Sequence, residues 1–88
     1  DIIPYHAAIY GSNKVELNLR INRDHHVKIY IYDILGRNHG LIYDNILRRG
    51  THTFPLSTNS KINLKSGQYF YNIKVQGGKD LTKSFLVK

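Results

Sequence analysis

The sequence predicts an all-β sandwich, and three observations carry that prediction. Apolar and polar residues alternate in several short runs, turn-forming residues recur at roughly 8–12-residue spacing, and no stretch sustains a helical apolar period over three turns. A single domain is expected over residues 1–88, with residues 1–8 readable as part linker because they carry the weakest pattern. A chain of 10.2 kDa buries roughly 64% of its unfolded surface on folding, enough for one thin core and too little for a deep pocket. The 41% hydrophobic content argues against disorder.

Val15, Leu17, Leu19 and Ile21 alternate with Glu16, Asn18 and Arg20, the period-2 signature of a strand with one buried face. Val27, Ile29 and Ile31 repeat it, with Lys28, Tyr30 and Tyr32 on the other face. Gly40 to Tyr43 and Thr51 to Leu56 are shorter candidates, the second suited to an edge because Pro55 cannot donate to a ladder. Tyr69, Tyr71, Ile73 and Val75 alternate again, Gly77-Gly78 supplies a hairpin turn, and a strand from about Leu81 to Val87 closes the fold.

Several chemistries are excluded by what the residues cannot assemble. There is no cysteine, so neither a disulfide framework nor a thiolate metal site is available. His25 and His26 are strand neighbours that point to opposite faces, while His6, His39 and His52 have no carboxylate at ligand spacing. Surface histidines are the expectation, and no cofactor is implied. No serine sits in a nucleophile elbow, and Glu16, Asp33 and Asp44 stand singly rather than as an acid–base pair. Gly77-Gly78-Lys79 resembles a fragment of a phosphate loop but lacks the helix that must follow. The chain is therefore not expected to be an enzyme. Its net charge of +7 is spread from Lys14 to Lys88, with no run longer than Arg48-Arg49. That distribution suits solubility and the blocking of strand edges, and nucleic acid is not an expected partner.

Three segments remain. In Tyr32-Asp33-Ile34-Leu35-Gly36-Arg37 a strand runs into a turn, where Asp33 can accept backbone N–H groups and Gly36 can take a positive φ. Arg37 is placed to pair with Asp33, and an exposed pair of this kind is worth only ~0.5 kcal/mol. In Leu64 to Tyr71, Ser66-Gly67 turns the chain into an aromatic strand whose Tyr69 and Tyr71 share one face, their hydroxyls reaching for partners at the sandwich edge. The last segment, Lys83 to Lys88, reads as an apolar strand inserted in the fold.

Taken in order, Tyr32-Asp33-x-x-Gly36-Arg37, Gly50-Thr51-His52, Leu64-x-Ser66-Gly67-x-Tyr69-Phe70-Tyr71 and the strand ending at Lys88 resemble the C-terminal sorting domain of type IX secretion substrates, over about residues 15 to 88. The resemblance implies an immunoglobulin-like β-sandwich of about seven antiparallel strands, without catalytic function. It implies recognition by the outer-membrane translocon through Asp33, Gly36, Arg37, Gly67, Tyr69, Tyr71 and Lys88. Sortase-like components, a parent catalytic or adhesive domain and, after processing, anionic lipopolysaccharide are the further partners it implies. The destination would be the cell surface or the medium, after transit through the periplasm. Two departures stand out: Pro4 lacks the Pro-Asn-Pro setting usual in that family, and His39 takes a position that is usually apolar, which implies a more exposed strand after the turn. The alternative reading is an immunoglobulin-like accessory module that packs on a catalytic domain or stacks carbohydrate on Tyr30, Tyr32, Tyr43 or Phe70.

Overall fold

The computed structural model describes residues 2–8, 15–56 and 64–87. Seven strands follow one another along the chain: β1 (Ile2–Ala8), β2 (Val15–Ile21), β3 (His25–Asp33), β4 (Asn38–Leu47), β5 (Gly50–Pro55), β6 (Gly67–Val75) and β7 (Leu81–Val87). They form a three-stranded sheet in the order β1-β2-β5 and a four-stranded sheet in the order β4-β3-β6-β7. All pairs are antiparallel. The chain changes sheet between β2 and β3, returns between β4 and β5, and crosses again before β6. This is the Greek-key path of an immunoglobulin-like sandwich. β1, from the weakly patterned start of the sequence, pairs along β2 from Ile2 opposite Ile21 to Ala8 opposite Val15.

Alternation places the core. Leu17, Leu19 and Ile21 of β2 face Val27, Ile29 and Ile31 of β3 and Tyr71 and Ile73 of β6, all of them buried. Phe85 and Val87 of β7, Leu56 after β5 and Leu64 before β6 close the ends. Because strand side chains repeat with period 2, a one-residue slip of any of these strands would turn its apolar set out to water. Burial therefore fixes the register.

Two strands differ in extent from the sequence expectation. β4 is not the short segment Gly40 to Tyr43 but runs from Asn38 to Leu47. Among the described residues it is an edge strand with ladder partners on one side only, and two register shifts, between Ile29 and Tyr30 and between Ile31 and Tyr32, interrupt its alternation. Pairing rather than pattern defines it. β5 runs Gly50–Pro55, and Leu56, just past its end, is fully buried with its N–H bonded to the Val15 carbonyl at 2.8 Å.

At the other edge of the four-stranded sheet, Lys83 shares its parity with Phe85 and Val87 yet is exposed, opposite the buried Tyr71. A charge at an inward position of an edge strand opposes the addition of a further strand. Among the described residues β7 has a ladder partner on one side only, and Lys83 is placed to guard its outer rim.

Candidate functional site

The β3–β4 turn is built around Asp33. Its backbone N–H donates to the Arg37 carbonyl, and the Gly36 N–H donates back to the Asp33 carbonyl, both at 3.0 Å. Gly36 takes φ 84°, the left-handed conformation that closes a three-residue hairpin loop and that a side chain would strain. The carboxylate completes the turn from inside. Oδ1 accepts the N–H groups of Leu35 and Arg37 at 2.9 Å each, while Oδ2 accepts Arg37 Nε at 2.6 Å and His39 Nε2 at 2.9 Å. Asp33 is only 6% exposed, so the pair with Arg37 is not the exposed one expected from the sequence. The Arg37 side of the pair stands largely in water. The His39 bond, then the Arg37 N–H, the Arg37 side chain and the Leu35 N–H, hold the Asp33 carboxyl well below the usual carboxylate range, against an opposing push from burial.

His39 thus has a carboxylate partner after all, supplied by the fold rather than by local spacing. Its ring also meets Tyr69 edge-on, with centroids 5.6 Å apart. Tyr69 in turn donates its hydroxyl to the Lys65 carbonyl at 2.8 Å, bracing the chain where it enters β6. This is the tyrosine corner of immunoglobulin-like sandwiches. Replacing Tyr69 by Phe removes one hydrogen bond worth ~1 kcal/mol. The expected result is a Tm lower by roughly 4–8 °C in a thermal melt; an unchanged Tm would show that the corner contributes nothing net.

The cross-sheet register brings the distant segments together. Asp33 is opposite Tyr69 on β6, and Tyr69 is opposite Phe85 on β7. The Tyr69 and Phe85 rings stack at 5.8 Å. Asp33, Gly36 and Arg37 therefore share one end of the four-stranded sheet with Gly67, Tyr69 and the end of β7. Tyr71 belongs to the same strand but is fully buried, where burial pushes its phenol pKa up, so it supports this end from within. Lys88 lies outside the described residues.

The aromatic platform divides. Tyr30, Tyr32 and Phe70 share the outer face of the four-stranded sheet, Tyr32 opposite Phe70 in register. The Tyr30 and Tyr32 rings are 6.2 Å apart and tilted by 35°, not coplanar. Tyr43 is not part of this face: it packs against the core, its ring 5.0 Å from Phe54. The bulges in the β3–β4 pairing are the physical reason that parity alone does not place it. Two further histidines have partners of their own, His26 with Asp44 at 2.6 Å and His52 with the Arg48 carbonyl at 2.6 Å. Among the described residues no three His, Asp or Glu side chains gather as metal ligands would. Two open grooves, one including Lys28 and Lys74 and the other Arg23 and Lys79, lie at the opposite end of the sheet from Asp33.

Sequence reasoning missed the His39–Asp33–Tyr69 linkage. The signal for Tyr69 was present: a tyrosine at the first inward position after a Ser-Gly turn, four residues past a free carbonyl. The signal for His39 was weaker, because a histidine six residues from an aspartate meets it only if the intervening hairpin is tight.

The family model described as the secretion system C-terminal sorting domain matches residues 12–88. No curated protein matches the chain. With so much of the sequence covered, the resemblance drawn from four short segments becomes membership: the chain belongs to the secretion system C-terminal sorting domains, a type IX signal that engages the secretion machinery and marks its bearer for the cell surface or the medium.

Proposed function

We propose that this domain is a folded, non-catalytic signal that takes a parent protein across the outer membrane by presenting one end of its four-stranded sheet to the type IX translocon. The observation that carries this reading is the shared row of Asp33, Tyr69 and Phe85 on three adjacent strands. The three side chains are themselves buried, and through them segments far apart in the chain are held at one end of the sheet. In this reading Asp33 and Gly36 shape the turn, Arg37 offers its charge to solvent, Gly67 and Tyr69 set the β6 corner beside it, Tyr71 braces it from the core, and Lys88 completes the signal. A rigid surface of this kind loses little conformational freedom on binding, which suits a tag that must be read quickly on many different parents. The parent, a catalytic or adhesive protein, reaches the translocon from the periplasm. Sortase-like components then release it or join it to anionic lipopolysaccharide.

A fluorescent reporter fused to residues 1–88 tests this in type IX-competent cells. Surface or extracellular fluorescence is expected in the wild-type strain and absent in a translocon-deficient one. A folded fusion that stays in the periplasm of competent cells would overturn the reading. Loss of binding to a glycan array on Tyr30→Ala or Tyr32→Ala would then favour the accessory-module alternative.

A further inference from the structure

Four large apolar side chains are strongly exposed among the described residues: Ile34 (63%), Leu35 (75%), Leu86 (57%) and Ile46 (55%). Three of them gather at the end of the sheet where Asp33, Tyr69 and Phe85 converge. Ile34 and Leu35 are the two residues between Asp33 and Gly36. Leu86 is opposite Gln68, one register step from the row that holds Asp33. Ile46 is elsewhere, opposite His26 at the start of β3. Singly exposed apolar residues are common, whereas an adjacent pair at the tip of a turn, with Leu86 at the same end of the sheet, is a candidate contact site.

The turn that carries Ile34 and Leu35 is the most heavily bonded loop described. Every oxygen of the Asp33 carboxylate is engaged within the turn or with His39. Asp33 is therefore unable to offer its carboxylate to a partner without dismantling the loop. Its chemistry is spent inward, and what the loop shows outward is Ile34, Leu35 and the guanidinium of Arg37, whose side chain is 72% exposed.

From this we infer that Ile34 and Leu35 are the anchor residues of the sorting signal, inserted into an apolar pocket of a translocon protein whose rim carries carboxylates facing Arg37, with Leu86 packing at the pocket's margin. The inference rests on the proposed function and names the contact through which it works. The Asp33 and Gly36 positions of the motif build the display, and the residues between them make the contact. Strand addition along β7 is the less suitable mode of docking, because Lys83 blocks that edge. Insertion into lipid is also less suitable. A bilayer rewards apolar area whether or not the loop is rigid, and even a myristoyl chain binds membranes only marginally. A pocket of fixed shape gains from a preorganised turn.

The test uses the reporter fusion to residues 1–88 in type IX-competent cells, with the double variant Ile34→Ser, Leu35→Ser and the control variant Ile46→Ser. The double variant is expected to melt like wild type, since both side chains already face water, while its surface fluorescence falls by at least about tenfold, as loss of central anchors does. Ile46→Ser is expected to be exported normally. Normal export of the double variant, with wild type still translocon-dependent, would overturn the anchor assignment and leave the sorting function intact. Failure of wild type to be exported would overturn both. Wild-type domain that co-sediments with phosphatidylethanolamine–phosphatidylglycerol vesicles, and loses this in the double variant, would replace the protein pocket with a lipid surface and overturn the inference in that form.

Discussion

Cutting the chain after Ser84 is expected to abolish both the cooperative thermal transition of the domain and the export of any fusion to it. The truncation removes Phe85 and Val87, each about 3% exposed in the core. It also removes the ladder partners of Gly67, Gln68 and Tyr69. Burial of two such side chains contributes about 1.5–3 kcal/mol apiece. Tyr69 and Tyr71 lose an aromatic neighbour at 5.8 and 6.1 Å, and each such ring pair contributes about 0.5–1.5 kcal/mol more. A domain of this length has a total stability of only about 4–13 kcal/mol. The loss is of the same order as the whole, so β7 decides whether there is a fold.

Circular dichroism on heating reads this directly, and single substitutions separate packing from recognition. Phe85→Ala should cost about 3–5 kcal/mol, approaching the truncation. Leu86→Ala, one residue along and facing water, should change stability by less than about 0.5 kcal/mol, its effect falling on export alone. A Phe85→Ala domain that melts like wild type would contradict the packing account. Equal destabilisation by the two substitutions would mean that β7 does not alternate as described.

Those alternating strands were legible in the sequence because their burial and their pattern are the same fact. Val15 to Ile21, Val27 to Ile31 and Tyr69 to Val75 have one face in the core, and the period-2 run states as much. The extent of β4 was not legible, since an edge strand with bulged pairing has no burial requirement to write into its residues. The site divides in the same way. The Asp33–Gly36 turn is local, and both the Asx-type bonding and the positive φ of Gly36 follow from residue types three positions apart. Its meeting with Tyr69 and Phe85 depends on which strands neighbour which, and at what register. No spacing along the chain encodes that, because β3 and β6 are separated by two strands of sequence. Tyr43, one of the tyrosines of the carbohydrate alternative, packs on the core instead, and a bulge of this kind resets parity without leaving a mark in composition.

Replacing Asp33 by Ala should lower the Tm on the order of 10 °C and reduce export to background, although the substitution removes no exposed group. The carboxylate is the common acceptor for two backbone N–H groups, Arg37 Nε and His39 Nε2. Without it the Leu35 and Arg37 N–H groups lose the acceptor that fixes the loop, and His39 loses the anchor that sets its ring against Tyr69. The turn would keep its glycine and lose its frame. Asp33→Asn should fall between, since its amide oxygen can still accept the two backbone donors while its NH2 faces the donors of Arg37 and His39. Acid titration supplies an independent check. The folded-state pKa of Asp33 is depressed, so its ionised form stabilises the native state above the ordinary value of 3.8, and that contribution is lost as pH falls below 3.8 toward the lower native value. The Tm difference between wild type and Asp33→Asn is therefore expected to shrink as pH falls below about 4. A difference that instead grew as pH fell below about 4 would mean that the Asp33 carboxyl is protonated more readily in the fold than out of it, and the hydrogen-bonded turn could not be the source of its effect. Export measured on the same variants connects the two levels: if Asp33 acts by framing Ile34 and Leu35, Asp33→Asn should lose export in proportion to the stability of the turn rather than all at once.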